Sequence, residues 1–171
     1  MTDAHLRDLS RIRLGVIHCA DTPNGYSRYG ISDIDAWHEA KPDVIRQRVR
    51  PLHQHGSQRW AACAYHYVIH TDGGVHNARA LEEIPSATSG VNSASLAICM
   101  IGTTAFTQAQ WDALKHLTNV LDLALPGIEW RGHQDFANRI CPGFDVQSWI
   151  ANNRVPHAAH ICNERIYRCA R

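Results

Sequence analysis

Three stretches of the chain carry the hydrophobic patterns of β-strands. Residues 14–19 form an apolar run that predicts a buried strand, with His18 near its C-terminal end. Apolar and polar positions alternate over 64–70, and the glycine pair that follows predicts a hairpin with 75–77. The run at 96–101 is apolar throughout, and it therefore predicts a central strand that is covered on both faces.

Helical patterns lie between and after these strands. Ser32 is the predicted N-cap of a first helix, in which Trp37 is interpreted as a core residue. Thr107 and Gln110 form a capping-box pattern that marks the start of a longer helix. Near the end of the folded region, Asp145 is placed to cap a last short helix.

The patterns divide the chain into a polar lead-in at 1–13, a domain at 14–150 and a tail at 151–171. Residues 42–60 are polar, basic and irregular, which fits either a loop that faces a substrate or a solvated loop. The helical spacing of apolar residues in the tail predicts a short amphipathic helix that packs on the domain. The alternative is a basic segment that contacts an anionic envelope.

The composition fits one globular domain. The chain has 171 residues, of which 44% are hydrophobic, and this is enough for a core of its own. Its net charge is +1 with neutral histidines, so we expect no nucleic-acid partner. No apolar run is long enough to predict a membrane span. The N-terminus has no apolar segment of the signal-peptide type, and we therefore expect a cytoplasmic protein whose cysteines stay reduced.

A loop after a predicted strand at 128–131 contains His133 and Cys141, and its glycines and proline mark it as irregular. Imidazole and thiolate are ligands that zinc prefers, but two ligands do not hold a metal ion. His18, at the end of its predicted strand, is the candidate for a third ligand. Alternatively, His18 closes its strand with a hydrogen bond, and the His/Cys loop is structural or incidental.

Three protein ligands leave one position of a zinc ion open, which is typical of catalytic rather than structural sites. Such a site hydrolyses amides or esters, and it needs groups that carry a proton and stabilise an oxyanion. Tyr65 and Arg139 are the candidate catalytic residues, although an arginine cannot act as an acid near neutral pH. Two alternatives stay open. Tyr65 packs in the core, or Cys19 or His66 closes the metal site as a fourth ligand, in which case metal removal unfolds the protein.

Five stretches, in this order, resemble the zinc-dependent N-acetylmuramoyl-L-alanine amidases of type 2, the family of phage lysozymes and peptidoglycan recognition proteins. The resemblance spans residues 14–150. The stretches are IHCADTP at 17–23, IDAWH at 34–38, AYHY at 64–67 with a following Asp-Gly, FTQAQ at 106–110, and Gly-His at 132–133 through CPGFD at 141–145.

The resemblance implies an α/β fold, a mixed central β-sheet flanked by helices, which agrees with the strand and helix patterns. It implies Zn²⁺ as the cofactor and Tyr65 as the catalytic tyrosine. The implied zinc ligands are His18, His133 and Cys141. Arg139 falls where phage lysozymes carry lysine, and it keeps the positive charge but cannot shuttle a proton. The loop at 86–92 lacks a substrate-contacting histidine that the family often carries, which indicates a different glycan or peptide preference.

The implied activity is hydrolysis of the amide between N-acetylmuramic acid and L-alanine in peptidoglycan, by a phage or prophage endolysin that reaches the wall after release. Two alternatives are a cytosolic amidase that recycles muropeptides and a module that binds peptidoglycan without cutting it. Cys141 favours the enzyme, because family members that lack the cysteine ligand bind without cutting. Peptidoglycan is the expected partner, and a monomer is the expected state.

Overall fold

A mixed β-sheet forms the centre of the computed structural model, which describes residues 6–40 and 62–162. Its strands are β1 (Leu14–Cys19), β2 (Tyr67–Ile69), β3 (Val75–Asn77), β4 (Ser95–Met100) and β5 (Glu129–Gly132). They lie in the order β3-β2-β4-β1-β5. The β2–β3 hairpin is antiparallel, while β1 pairs in parallel with both β4 and β5, and β2 pairs in parallel with β4. The predicted fold class, a mixed sheet flanked by helices, is confirmed.

Strands β1 and β4 are buried because their apolar runs are covered on both faces. Every residue of β4 is buried, and Cys99 is a core residue with no exposed surface, as the pattern predicts. Gly15 on β1 lets the strand pass directly under the indole ring of Trp130, since a Cβ at this position would overlap the ring. A side chain of the neighbouring strand β5 therefore helps the helices to cover β1.

In the part of the chain that the structure describes, three α-helices cover the sheet: α1 (Ile31–Glu39), α2 (Gln108–Ala124) and α3 (Val146–Ala151). The capping box of α2 is confirmed, with N–H···O bonds of 3.1 and 3.0 Å between Gln110 and Thr107 in both directions. Asp145 caps α3 by accepting from the Ser148 backbone N–H at 2.7 Å. These helices start where the sequence places their cap residues.

The start of α1 and the burial of Trp37 differ from the prediction. Gly30, not Ser32, is the N-cap, because the Asp33 carboxylate accepts from the Gly30 N–H at 2.9 Å. The ring of His70 accepts from the next backbone N–H, that of Ile31, at 3.0 Å. Trp37 is 39% exposed and packs on Tyr29 at the surface, so its interpretation as a core residue is wrong.

Strand β2 is shorter than its alternating pattern predicts. The backbone N–H groups of Ala62 and Cys63 donate to the Asp35 carboxylate, each at 2.7 Å. The N–H of Ala64 donates to Nδ1 of His38 at 3.2 Å. Side chains of α1 thus take up the hydrogen bonds that a neighbouring strand would supply, and regular pairing begins only at Tyr67.

The described part of the tail packs on the domain through its backbone. Phe106 donates its N–H to the carbonyl of His160 at 2.9 Å and accepts from the N–H of Cys162 at 2.8 Å. The indole N–H of Trp111 also donates to the His160 carbonyl, at 3.0 Å. The rest of the predicted tail helix and the basic loop at 42–60 lie outside the described residues. Within those residues, no helix is both long enough and apolar enough to cross a bilayer.

Candidate metal centre

Two parallel strands carry the two histidines of the predicted ligand set to one edge of the sheet. β1 and β5 lie side by side, with Ile17 paired to Gly132. His18 is the next residue of β1, and His133 begins a 3-10 turn directly after β5. Because parallel strands end on the same side, the two imidazole rings come within 4.6 Å of each other, centroid to centroid.

The loop after β5 returns Cys141 to the same edge. The Gln134 N–H donates to the Cys141 carbonyl at 2.7 Å, which folds the loop back on itself. The Cys141 Sγ accepts from the Cys19 backbone N–H at 3.3 Å and lies 3.9 Å from Nδ1 of His18. The candidate ligand atoms of His18, His133 and Cys141 all lie within 4.8 Å of one another. Zinc binds histidine nitrogen at about 2.0–2.1 Å and cysteine sulfur at about 2.3 Å, so this donor set fits a shared ion.

Burial sets the protonation of these three groups. It lowers the pKa of His18 well below its usual value, with a further contribution from the charge of His133. Burial, followed by the charge of Arg139, also lowers the pKa of His133. Both rings therefore favour the neutral form, which is the form that offers a lone pair to a metal. The Cys19 thiol beside Cys141, together with burial, raises the pKa of Cys141, so its thiolate needs a nearby cation.

The three side chains lie at the base of a cleft of about 770 Å³. Tyr65 is on the wall, with its ring centroid 5.1 Å from that of His18 and 5.4 Å from that of His38. Burial raises the pKa of Tyr65 well above its usual value, so the phenol stays protonated and can donate a hydrogen bond. Arg139 is exposed and lines the same cleft, where it supplies a positive charge. The structure thus brings both predicted catalytic residues to the cleft that the three candidate ligands line.

The two residues considered as a fourth ligand, His66 and Cys19, are not part of the candidate ligand group. Nδ1 of the buried His66 accepts from the Ala97 N–H at 3.0 Å, and its Nε2 donates to the Glu83 carbonyl at 2.9 Å. Both ring nitrogens of His66 are therefore used within the fold. Cys19 touches Cys141 through its backbone N–H, but among the described residues the group that could hold a metal consists of His18, His133 and Cys141. This donor set favours a site with an open position.

Two residues at the site, His38 and Thr88, lie outside the predicted set of ligands and catalytic residues. His38 leans on Tyr65 from α1 and is fixed by its bond to the Ala64 N–H. The Thr88 hydroxyl lies 3.2 Å from Nε2 of His18, in a region where both side chains are 1% exposed. His38 could have been suspected from its helical spacing with Ile34. Thr88 lies in a loop without periodicity, so only the folded chain reveals it.

Comparison with known proteins extends these observations. A model of the N-acetylmuramoyl-L-alanine amidase family matches residues 8–144. The endolysin of Klebsiella phage KP32 is 31% identical over 130 residues, which cover 71% of this chain and 85% of that protein.

Two solved structures share the fold. The N-acetylmuramoyl-L-alanine amidase LysC of Clostridium intestinale is 20% identical, with a TM-score of 0.65 over 91% of this chain and 96% of that chain. Drosophila PGRP-LB is also 20% identical, with a TM-score of 0.65 over 93% of this chain and 88% of that chain. At this level of identity the structures support the architecture alone.

Proposed function

The chain belongs to the N-acetylmuramoyl-L-alanine amidase family, and from that premise we propose that it is a zinc-dependent enzyme whose metal is held by His18, His133 and Cys141. Family membership makes the chain a peptidoglycan amidase. The metal dependence, the roles of single residues and the biological setting are the proposal. The observation that carries it is the convergence of two imidazoles and one thiol, from distant parts of the sequence, at the base of one cleft.

The substrate bond is the amide between N-acetylmuramic acid and L-alanine of the stem peptide. A zinc ion bound at this cluster would supply Lewis acidity toward the amide carbonyl and lower the pKa of a bound water molecule. Tyr65, a protonated donor on the cleft wall, is positioned to hydrogen-bond the carbonyl oxygen as negative charge develops. Arg139, an exposed residue that lines the cleft, supplies a positive charge, and an arginine side chain does not serve as a general acid near neutral pH.

The ligand set supports catalysis over binding alone. A module that only holds peptidoglycan needs the walls of the cleft but not a buried thiol. Here Cys141 is 9% exposed, and its Sγ lies 3.9 Å from Nδ1 of His18, so a thiol stands beside the imidazole of another candidate ligand. The cleft also brings a hydrogen-bond donor and a cation to the same centre, which is the combination that an oxyanion requires.

Mass spectrometry of digested sacculi tests this proposal. We expect the wild-type protein to release stem peptides with new L-alanine amino termini, and we expect a chelator to abolish their release. Cys141→Ser should remove the activity and the zinc content together. Cys162→Ser is the matched control, since Cys162 is also 9% exposed but lies in the tail, where its backbone N–H bonds to Phe106. This variant should keep both the activity and the zinc content. Full activity in Cys141→Ser, or in a fully chelated protein, would overturn the proposal.

We further propose that the protein acts as a phage or prophage endolysin on the cell wall. The likeness to the endolysin of Klebsiella phage KP32 over 85% of that protein supports this role. The alternative is a cytosolic amidase that recycles muropeptides. Parallel assays on intact sacculi and on small soluble anhydro-muropeptides separate the two, because an endolysin should prefer sacculi. A strong preference for the soluble fragments would favour recycling.

A further inference from the structure

The two ring nitrogens of His18 have different partners. Nδ1 lies 3.9 Å from the Cys141 Sγ, on the side of the candidate ligand cluster. Nε2 lies 3.2 Å from the Thr88 Oγ1, on the opposite side. An imidazole that binds a metal through one nitrogen must carry its proton on the other, and an acceptor beside that second nitrogen stabilises this tautomer.

We propose that Thr88 is a positioning residue that holds His18 in its Nε2–H tautomer, so that Nδ1 is free to bind the metal. The inference rests on the proposed function in so far as it takes His18 as a ligand. In this arrangement Nε2 donates to the Thr88 hydroxyl, and the ring cannot turn about its Cβ–Cγ bond without losing the hydrogen bond. Thr88 itself touches neither the metal nor the substrate.

Burial makes this hydrogen bond hard to replace. His18 and Thr88 are each 1% exposed, so bulk water does not reach Nε2. A buried N–H that loses its acceptor is costly, and the ring would lower that cost by moving its proton to Nδ1. That tautomer blocks the nitrogen that faces Cys141. Removing the hydroxyl should therefore weaken metal binding even if the fold does not change.

The backbone around Thr88 is fixed independently of His18. The N–H groups of Ala87 and Thr88 donate to the same side-chain oxygen of Asn92, at 3.1 and 2.8 Å. The carbonyl of Asn92 in turn accepts from the Arg7 guanidinium at 3.1 Å. The loop is thus tied to the N-terminal segment, and the threonine hydroxyl is presented to His18 by hydrogen bonds that involve none of the candidate ligands.

The first test measures zinc affinity by competition with a chromogenic chelator. Thr88→Val keeps the shape and removes the hydroxyl, and we expect the dissociation constant for Zn²⁺ to rise about tenfold, the lower end of the usual effect of such partners. Thr88→Ser should stay within about twofold of the wild type. Thr118→Val is the matched control, because Thr118 is fully buried but its hydroxyl donates to the Leu114 carbonyl of its own helix. It should leave zinc affinity unchanged.

The second test reads the tautomer in the metal-free protein by ¹⁵N NMR of the His18 ring. We expect the Nε2–H form in the wild type and in Thr88→Ser, and a larger share of the Nδ1–H form in Thr88→Val. Should the valine variant not fold, Thr88→Ala and the wild-type spectrum still decide. A wild-type Nδ1–H tautomer, or equal zinc affinity in the wild type and Thr88→Val, overturns the inference. A wild-type protein that binds no zinc overturns the proposed function instead, and the two failures are distinguishable.

Discussion

Among single residues, Tyr65 offers the most direct test of the chemistry. Its ring lies against those of His18 and His38, and burial keeps the phenol protonated. We predict that Tyr65→Phe lowers kcat by about 10²-fold with little change in KM, since loss of one oxyanion donor typically costs about 10²–10³. Steady-state kinetics on a soluble muropeptide measures this. Tyr67→Phe is the control, because Tyr67 packs against the hydrophobic core from β2 and does not line the cleft.

Arg139 should matter less than Tyr65, because it is exposed and water and salt screen its charge. We predict that Arg139→Ala lowers kcat about tenfold at low ionic strength and that added salt narrows the difference from the wild type. Arg139→Lys keeps the positive charge and should retain most of the activity. Arg131→Ala, which removes an arginine paired with Glu129 on β5, should have no such effect. A salt-independent loss in Arg139→Ala would argue for a role other than charge.

Residue chemistry and order along the chain are enough to select His18, His133 and Cys141 as candidate ligands. Few kinds of side chain bind zinc, and these three lie at the end of a predicted strand or in the loop that follows another. The same reasoning cannot find Thr88. A threonine in a loop of small residues carries no periodicity, and its value depends on the 3.2 Å approach to a ring from a different part of the sequence. A residue that supports a metal ligand is defined by its tertiary contacts, so it cannot be identified from the sequence pattern.

Among the elements, β2 and the segment before it show how side chains set the limits of a strand. The alternation over 64–70 predicts one long strand, yet regular pairing starts at Tyr67 because Asp35 and His38 of α1 bind the preceding backbone. The pattern identifies which residues are extended but not which partner their N–H groups find. The N-cap of α1 fails for a similar reason, since Gly30 has no side chain to signal its role, and the Asp33 carboxylate provides the bond.

The buried His66, just before β2, makes a pH-dependent contribution to stability. Burial, with a smaller contribution from the charge of Arg7, lowers its pKa from 6.5 to about 3. The unfolded chain binds a proton at this residue more readily than the folded chain does, so the contribution is complete above pH 6.5 and is lost as the pH falls toward 3. Each pH unit in that window should cost about 1.4 kcal/mol of the free energy of unfolding.

Urea unfolding between pH 4 and pH 7 measures this slope. His66→Asn keeps an oxygen that can accept from the Ala97 N–H, which now donates to Nδ1, but it does not titrate. The variant should be less stable at pH 7, and its stability should depend on pH by about 1.4 kcal/mol less per unit. His116→Asn, at an exposed position on α2, is the control and should keep the wild-type slope. Identical slopes in the wild type and His66→Asn would contradict the assignment to His66.

For the whole molecule, the sheet separates two groups of buried side chains. Alternate residues of β4 point to opposite faces: Ile98 and Met100 pack with Trp111 of α2, while Cys99 packs with Ile34 of α1. The sequence predicts this arrangement because the fully apolar run at 96–101 requires cover on both faces. It predicts that the tail packs on the domain, but not that the contact runs through backbone hydrogen bonds to Phe106, since such bonds between distant segments leave no pattern.

Because most side chains of both groups are apolar and cannot bind a metal, zinc removal should silence the enzyme and leave it folded. We predict that a chelator abolishes hydrolysis while the far-UV circular dichroism spectrum and a cooperative thermal transition persist. Zinc binding to the folded state alone adds about 2.7 kcal/mol to the free energy of unfolding when free zinc is 100 times its dissociation constant. The melting temperature should therefore fall on chelation only as far as the loss of this contribution requires. Cys141→Ser should melt like the chelated wild type and should not respond to chelator. Loss of the helical signal on chelation would instead indicate a closed structural site, in which Cys19 completes the coordination and the metal holds β1 to the loop after β5.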